Sequence, residues 1–189
     1  QPAFDDATST WSVKKASELA WLAAAVNGEV AVTKAGSYSF AGETVTLTTD
    51  IDLGNHPWTP IGLDGDVDGF KGTFDGCGKT ISNLYVNLTG TPKHQSAGLF
   101  GSLTGTVKNL YVKNAIIKNL DTDTDATSSG SAVIAGASQD GAFIDNVHVV
   151  NAVVTSNRRA AGIAGYFVGT IQNCSVDGLT ATITPDDYD

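Results

Sequence analysis

The chain has 189 residues, 16% charged and 41% hydrophobic, with a mean hydropathy of −0.01. That is enough length and apolar content for one domain with a real core, which excludes a disordered chain and a coiled coil. No apolar run reaches the ~18 residues of a membrane helix, so no membrane insertion is expected. Eleven Lys plus Arg against twenty Asp plus Glu give a net charge of −9, a field that disfavours a nucleic-acid partner.

The chain contains no methionine, so Gln1 reads as a mature end left by signal removal or as an artificial boundary. The expectation is an extracellular or cell-surface location, with export by a signal peptide that this chain does not include. The first element expected is a helix over about residues 12–28. Leu19, Leu22, Ala23 and Val26 fall on one helical face, Glu18 lies in the first turn, and Asn27-Gly28 supply a stop. Lys15 stands where a Ser or Thr cap is preferred. Residues 38–53 and 70–75 follow as irregular β coils.

From residue 78 the chain repeats itself. GKTISNLYV (78–86), GTVKNLYV (105–112), GAFIDNVHV (141–149) and GTIQNCSV (169–176) share a Gly, an Ile or Val, an Asn and two further inward positions. Their asparagines, 83, 109, 146 and 173, are separated by 26, 37 and 27 residues, and the long step carries an insert at 121–131. Two more patterns recur between them: AGLFG, AVIAG and AGIAG (97–101, 132–136, 161–165), then NAIIKN and NAVVTS (114–119, 151–156).

Short β-branched pieces punctuated by Gly and Asn, at a fixed period, predict an all-β, three-sided parallel β-helix, with 38–183 as coils and 184–189 as tail or linker. Stacking at ~4.8 Å per coil predicts inward columns Leu84–Leu110–Val147–Cys174, Val86–Val112–Val149–Val176, Leu99–Ile134–Ile163 and Ile117–Val154. The four asparagines predict one corner ladder. Gly101, Gly136 and Gly165 predict positive φ or close approach of coils. The helix is expected to cap the open N-terminal end.

The order of that helix, DIDL (50–53), WTPIG (58–62), FKGTFDG (70–76), GKTISNLYV, GLFG (98–101) and GTVKNLYV resembles the GLUG-motif repeat family over residues 15–176. Departures are Cys77, where Asn is usual, Lys15, and the insert 121–131. The resemblance implies a right-handed parallel β-helix at the surface of an exported bacterial protein. It includes adhesins and regions preceding immunoglobulin-A-cleaving peptidases, and supplies no catalytic motif.

Four groups of residues invite a chemical reading. GCGKT (76–80) resembles a phosphate loop, but Thr73 stands where that motif needs Gly and a strand follows, so a tight turn is expected. Asp64, Asp66, Asp68, Gly69 and Asp75 match the spacing of a calcium loop, with Asp in place of the bidentate Glu. Lys71 at an aliphatic position and the lack of flanking helices favour a plain acidic loop. Asp121, Asp123 and Asp125 repeat the alternation without the Gly. The residues between inward pairs, Tyr85, Tyr111, His148 and Ser175, predict an outward column whose rings offer faces to sugars, or simply suit an exposed ladder.

Catalytic patterns are thin. Lys108 and Asp145 form one outward pair, His56, His94 and His148 lack ligand spacing, and Cys77 and Cys174 lie too far apart to bridge. The expected function is a non-enzymatic module, probing a host or cell-surface glycan or protein as an adhesin, and monomeric within a longer chain. Its rivals are a domain of a polysaccharide-active or peptidase surface enzyme and a purely structural stalk.

Overall fold

A computed structural model describes residues 1–32, 39–63, 69–90, 95–120 and 129–184. The chain is a parallel β-solenoid of about 5 turns with one short helix. Strands β1 (Ala3–Asp5) and β2 (Thr10–Val13) precede α1 (Ala16–Val26). Then come β3 (Thr44–Leu47), β4 (Ile51–Asp52), β5 (Thr73–Ser82), β6 (Tyr85–Asn87), β7 (Phe100–Leu103) and β8 (Thr106–Asn119). The later turns hold β9 (Ser131–Ala132), β10 (Ala135–Ser138), β11 (Ala142–Ser156), β12 (Ala160–Ala161), β13 (Ala164–Tyr166), β14 (Gly169–Gln172) and β15 (Ser175–Ile183).

The longest sheet stacks β2, β3, β5, β8, β11 and β14 in parallel order, and β15 also pairs with β11. β13–β10–β7 and β12–β9 form two smaller parallel ladders. The three sequence patterns occupy different parts of each turn, and the Asn pattern is itself bent. In β8, Val107, Leu110, Val112, Ala115 and Ile117 are buried, a spacing of three, two, three and two rather than strict alternation. The two three-residue gaps contain Asn109 and Asn114, at φ 52° and 55°. A residue in the left-handed region turns the strand, and Asn tolerates that region better than other side chains with a Cβ. β8 therefore runs as three short walls joined at two corners, and β11 repeats it residue for residue.

These corners correct the expected single ladder. Asp145 pairs with Lys108 and with Gln172, and His148 with Tyr111 and Ser175, so Asn109, Asn146 and Asn173 do share one corner. Asn83 does not. Ser82 pairs with Lys113 and Tyr85 with Ile116, which puts Asn83 over Asn114. The Asn55 N–H donates to the Asn83 carbonyl at 3.0 Å, and Val150 and Ala152 pair with Lys113 and Ala115 and with Asp177 and Leu179. The second corner is thus Asn55, Asn83, Asn114, Asn151 and Gly178, all at positive φ. Above Asn109, the first corner is made by Cys77 (φ 50°) and Gly78 (φ 73°), where the β5 register shifts between Asp75 and Lys79. The GCGKT stretch is this turn.

The inward columns shift accordingly. Ile81, not Val86, stands over Val112, Val149 and Val176, while Val86 stands over Ile117 and Val154. Leu84 likewise leaves the Leu110–Val147 column for the position over Ala115, since its carbonyl accepts from the Ile116 N–H at 2.8 Å. The Leu99–Ile134–Ile163 column and the Ile117–Val154 pair stand as expected. The glycines at 101, 136 and 165 serve close approach: a Cβ there would lie 2.6 Å from Gly62 O, Ala97 N and Ser131 N respectively.

Helix α1 is shorter than expected because β2 takes Ser12 and Val13. Leu19, Leu22, Ala23 and Val26 are buried, as the pattern requires. Lys15 provides no side-chain cap, and the Glu18 carboxylate instead accepts the Lys14 N–H at 2.8 Å. Asn27 does more than end the helix. Its amide donates to Pro60 O, and its oxygen accepts the N–H groups of Gly62 and Leu63 at 2.9 Å each, tying α1 to the WTPIG turn. The free edge of β2 is covered by β1, an antiparallel strand that sequence patterning missed. The expected 184–189 tail lies outside the described residues beyond Thr184.

Candidate functional site

The outer faces of the walls carry the candidate sites. On the second wall the outward column is Thr80–Tyr111–His148–Ser175. Tyr85, expected there, lies on the third wall in the column Tyr85–Ile116–Val153–Thr180. The structure therefore unites Tyr111 and His148 and separates Tyr85 from both. The Tyr111 and His148 rings stack with centroids 4.9 Å apart and planes at 33°. Stacking along the ladder covers one face of each ring, so the pair presents edges and the Tyr111 hydroxyl more than open faces. His148 is further fixed by its Nδ1 at 2.8 Å from Ser175 Oγ and its Nε2 at 3.0 Å from Asn146 Oδ1. The Asn146 oxygen is an acceptor, so Nε2 donates.

The first corner is knitted together. The Asn146 amide donates to Asn109 Oδ1 at 3.0 Å, the Asn109 amide donates to Asp75 Oδ1 at 3.0 Å, and the Asn173 amide donates to Asp145 Oδ1 at 2.8 Å. Asp75 also accepts the Cys77 N–H at 2.8 Å and lies 3.4 Å from Lys108 Nζ. Partial burial works to raise the Asp75 carboxyl, but the Asn109 amide, the Cys77 N–H and the Lys108 ammonium outweigh it and hold its pKa below the usual carboxylate value. Lys108 thus bonds Asp75 as well as facing Asp145 in the ladder.

This settles where Asp75 is, and it is a corner-forming carboxylate. Asp64, Asp66 and Asp68, the other members of the calcium spacing, lie outside the described residues, as do Asp121, Asp123, Asp125 and His94. Among the described residues no group of three His, Cys, Asp or Glu side chains is close enough to hold a metal. Both cysteines are free thiols. Burial, then the nearby carboxylate of Asp75, pushes the Cys77 thiol pKa up, and burial does the same at Cys174. Raised thiol values make poor nucleophiles. Cys174 packs against the core, as its place in the Leu110–Val147 column implies.

The second corner is different, and sequence reasoning did not single it out. Among the described residues, the carboxamides of Asn55, Asn114 and Asn151 make no hydrogen bond within the chain. Only Asn83 is engaged, donating to Asp52 Oδ1 at 2.8 Å. The signal was present in the sequence, since NAIIKN and NAVVTS each open on one of these asparagines.

No protein-family model matches the chain, and no solved structure does. Over 133 residues the chain is 33% identical to Halomucin of Haloquadratum walsbyi. That stretch covers 66% of this chain but 1% of Halomucin, so the chain spans only a small fraction of the protein it resembles.

Proposed function

We propose that the chain is a non-enzymatic module of an exported surface protein, of GLUG-repeat type, that holds its ligand by repeated contact along the solenoid walls. The observation that carries this reading is the exact-height repetition of outward columns. Tyr111 over His148, and Ile116 over Val153, recur one strand spacing apart on paired walls. Equivalent groups at ~4.8 Å intervals suit an extended partner with its own repeat, and many weak contacts then add by multivalency. A β-solenoid with partial similarity to Halomucin, a mucin by name, is compatible with a cell-surface module.

The test is retention of beads carrying the chain at several densities on surfaces coated with glycans or extracellular proteins. Retention that rises steeply with bead density is the expected result. No retention on any surface at any density would leave a stalk and overturn the adhesive role.

A further inference from the structure

The second corner opens into a shallow groove of about 330 Å³ lined by the asparagine ladder and the start of the third wall. Its floor is low because the inward residues just past each corner are small: Ala115 and Ala152 are 1% and 2% exposed. Its side is apolar, with Ile116 and Val153 42% and 43% exposed. Its rim is the row of carboxamides of Asn55, Asn114 and Asn151, which make no hydrogen bond among the described residues. At the far end Gly178 continues the corner without a side chain, and a Cβ there would meet Asn151 Oδ1 at 2.7 Å, so the Asn151 amide occupies that space. The groove lining carries no charged residue, in a chain of net charge −9.

From this arrangement we infer that the groove is the seat of a neutral glycan chain lying along the solenoid axis. The inference rests on the surface-module reading and gives it a site and a ligand class. Each carboxamide offers two donors and an acceptor, which matches neighbouring hydroxyls of one sugar. The Ile116–Val153 strip faces the C–H surface of the ring. One coil rises by ~4.8 Å, close to the length of one pyranose unit in an extended glycan. An acidic polymer would call for Arg or Lys on the rim, and the rim has none. An extended peptide adding a strand needs unpaired backbone, whereas β8 and β11 are paired with each other along both walls that flank the groove. The left-handed backbone fixes the point at which each Asn side chain leaves the wall, so the spacing of the row is set before binding.

The experiment follows the side-chain amide NMR signals of Asn114 and Asn151 in the full chain. The titrants are neutral hexaoses built from glucose, mannose or galactose, with hexagalacturonate and a Gly-Ser-Thr nonapeptide for comparison. At least one neutral hexaose is expected to shift both signals. The double variant Asn114→Gly/Asn151→Gly keeps a residue suited to positive φ and should bind that sugar about tenfold or more weakly, with an unchanged melting temperature. Ile116→Glu, which leaves both amides intact, should also weaken it, while Tyr111→Ala should not. No shift with any neutral hexaose, stronger binding of the acidic hexamer or the peptide, or undiminished binding by both groove variants would overturn the groove. Bead retention that survives the double variant would overturn the groove alone and leave the surface module standing.

Discussion

At the residue scale the fold depends on side chains that accept a left-handed backbone. Seven of the corner positions named above, Asn55, Asn83, Asn109, Asn114, Asn146, Asn151 and Asn173, lie at φ between 52° and 58°. Two separate advantages explain Asn there. Its backbone strain is lower than that of other residues with a Cβ, and its amide can bond to the turn above. Asn146 allows them to be separated, because its amide donates to Asn109 Oδ1 and its oxygen accepts from His148. Asn146→Gly removes the amide and relieves the backbone, whereas Asn146→Ala removes the amide and adds strain. Urea unfolding should rank the Ala variant below the Gly variant by roughly 1–2 kcal/mol. Equal stabilities would mean that the amide bonds, and not the backbone, are what the corner requires of Asn.

At the scale of one turn, the architecture was legible in the sequence and the register was legible only in part. Short β-branched pieces with Gly at fixed places required stacking, and the close approach at Gly101, Gly136 and Gly165 followed from their recurrence. The error at Asn83 has a physical source. NLYV occurs at both 83–86 and 109–112, yet the first copy lies on the third wall and the second on the second wall. Corners at Asn109 and Asn114 are five residues apart, so a slip by one wall preserves every buried position. Hydrophobic patterning is blind to such a slip, and hydrogen-bond pairing through the whole turn decides it. The same blindness hid the free amides of Asn114 and Asn151, because their place relative to Asn83 was not known. The glycine column is less forgiving. A Cβ on Gly136 would lie 2.6 Å from Ala97 N and 2.7 Å from Ser96 C, both backbone atoms that cannot swing aside. Gly136→Ala should therefore destabilise the chain by about 1–3 kcal/mol or more in chemical denaturation, although Ala is no larger than its neighbours Ala135 and Ala137. A neutral outcome would show that the turns can spread at this position.

At the scale of the molecule the two ends of the solenoid are unlike. The first turn is closed by the antiparallel strand β1 and an aromatic cluster, with Phe4 and Trp11 centroids 4.5 Å apart and Trp11 and Trp21 5.4 Å apart. From Trp11 a chain of rings passes inward through Phe40, Phe70 and Phe100. Beyond Phe100 the same position is taken by Ala135 and Ala164, so bulk declines towards the last turn. There, among the described residues, no further turn covers Val176, Leu179 and Ile183, which are 36–45% exposed. A stack in which each turn contacts its neighbours should lose structure from its least covered end. The column Ile81–Val112–Val149–Val176 tests this with one chemistry at two heights. Val149 is fully buried and Val176 is 40% exposed. Removing two methyl groups at Val149 leaves a cavity between packed turns, and Val149→Ala should cost on the order of 2 kcal/mol. The same change at Val176 removes atoms that already meet water, and should cost less than about 0.5 kcal/mol. Hydrogen exchange gives the matching signature: amides of β15 should exchange well before those of β8, and Val176→Ala should leave β8 protection unchanged. If Val176→Ala proved as damaging as Val149→Ala, the last turn would be as tightly held as the middle ones, and the gradient in cover along the axis would have no energetic meaning.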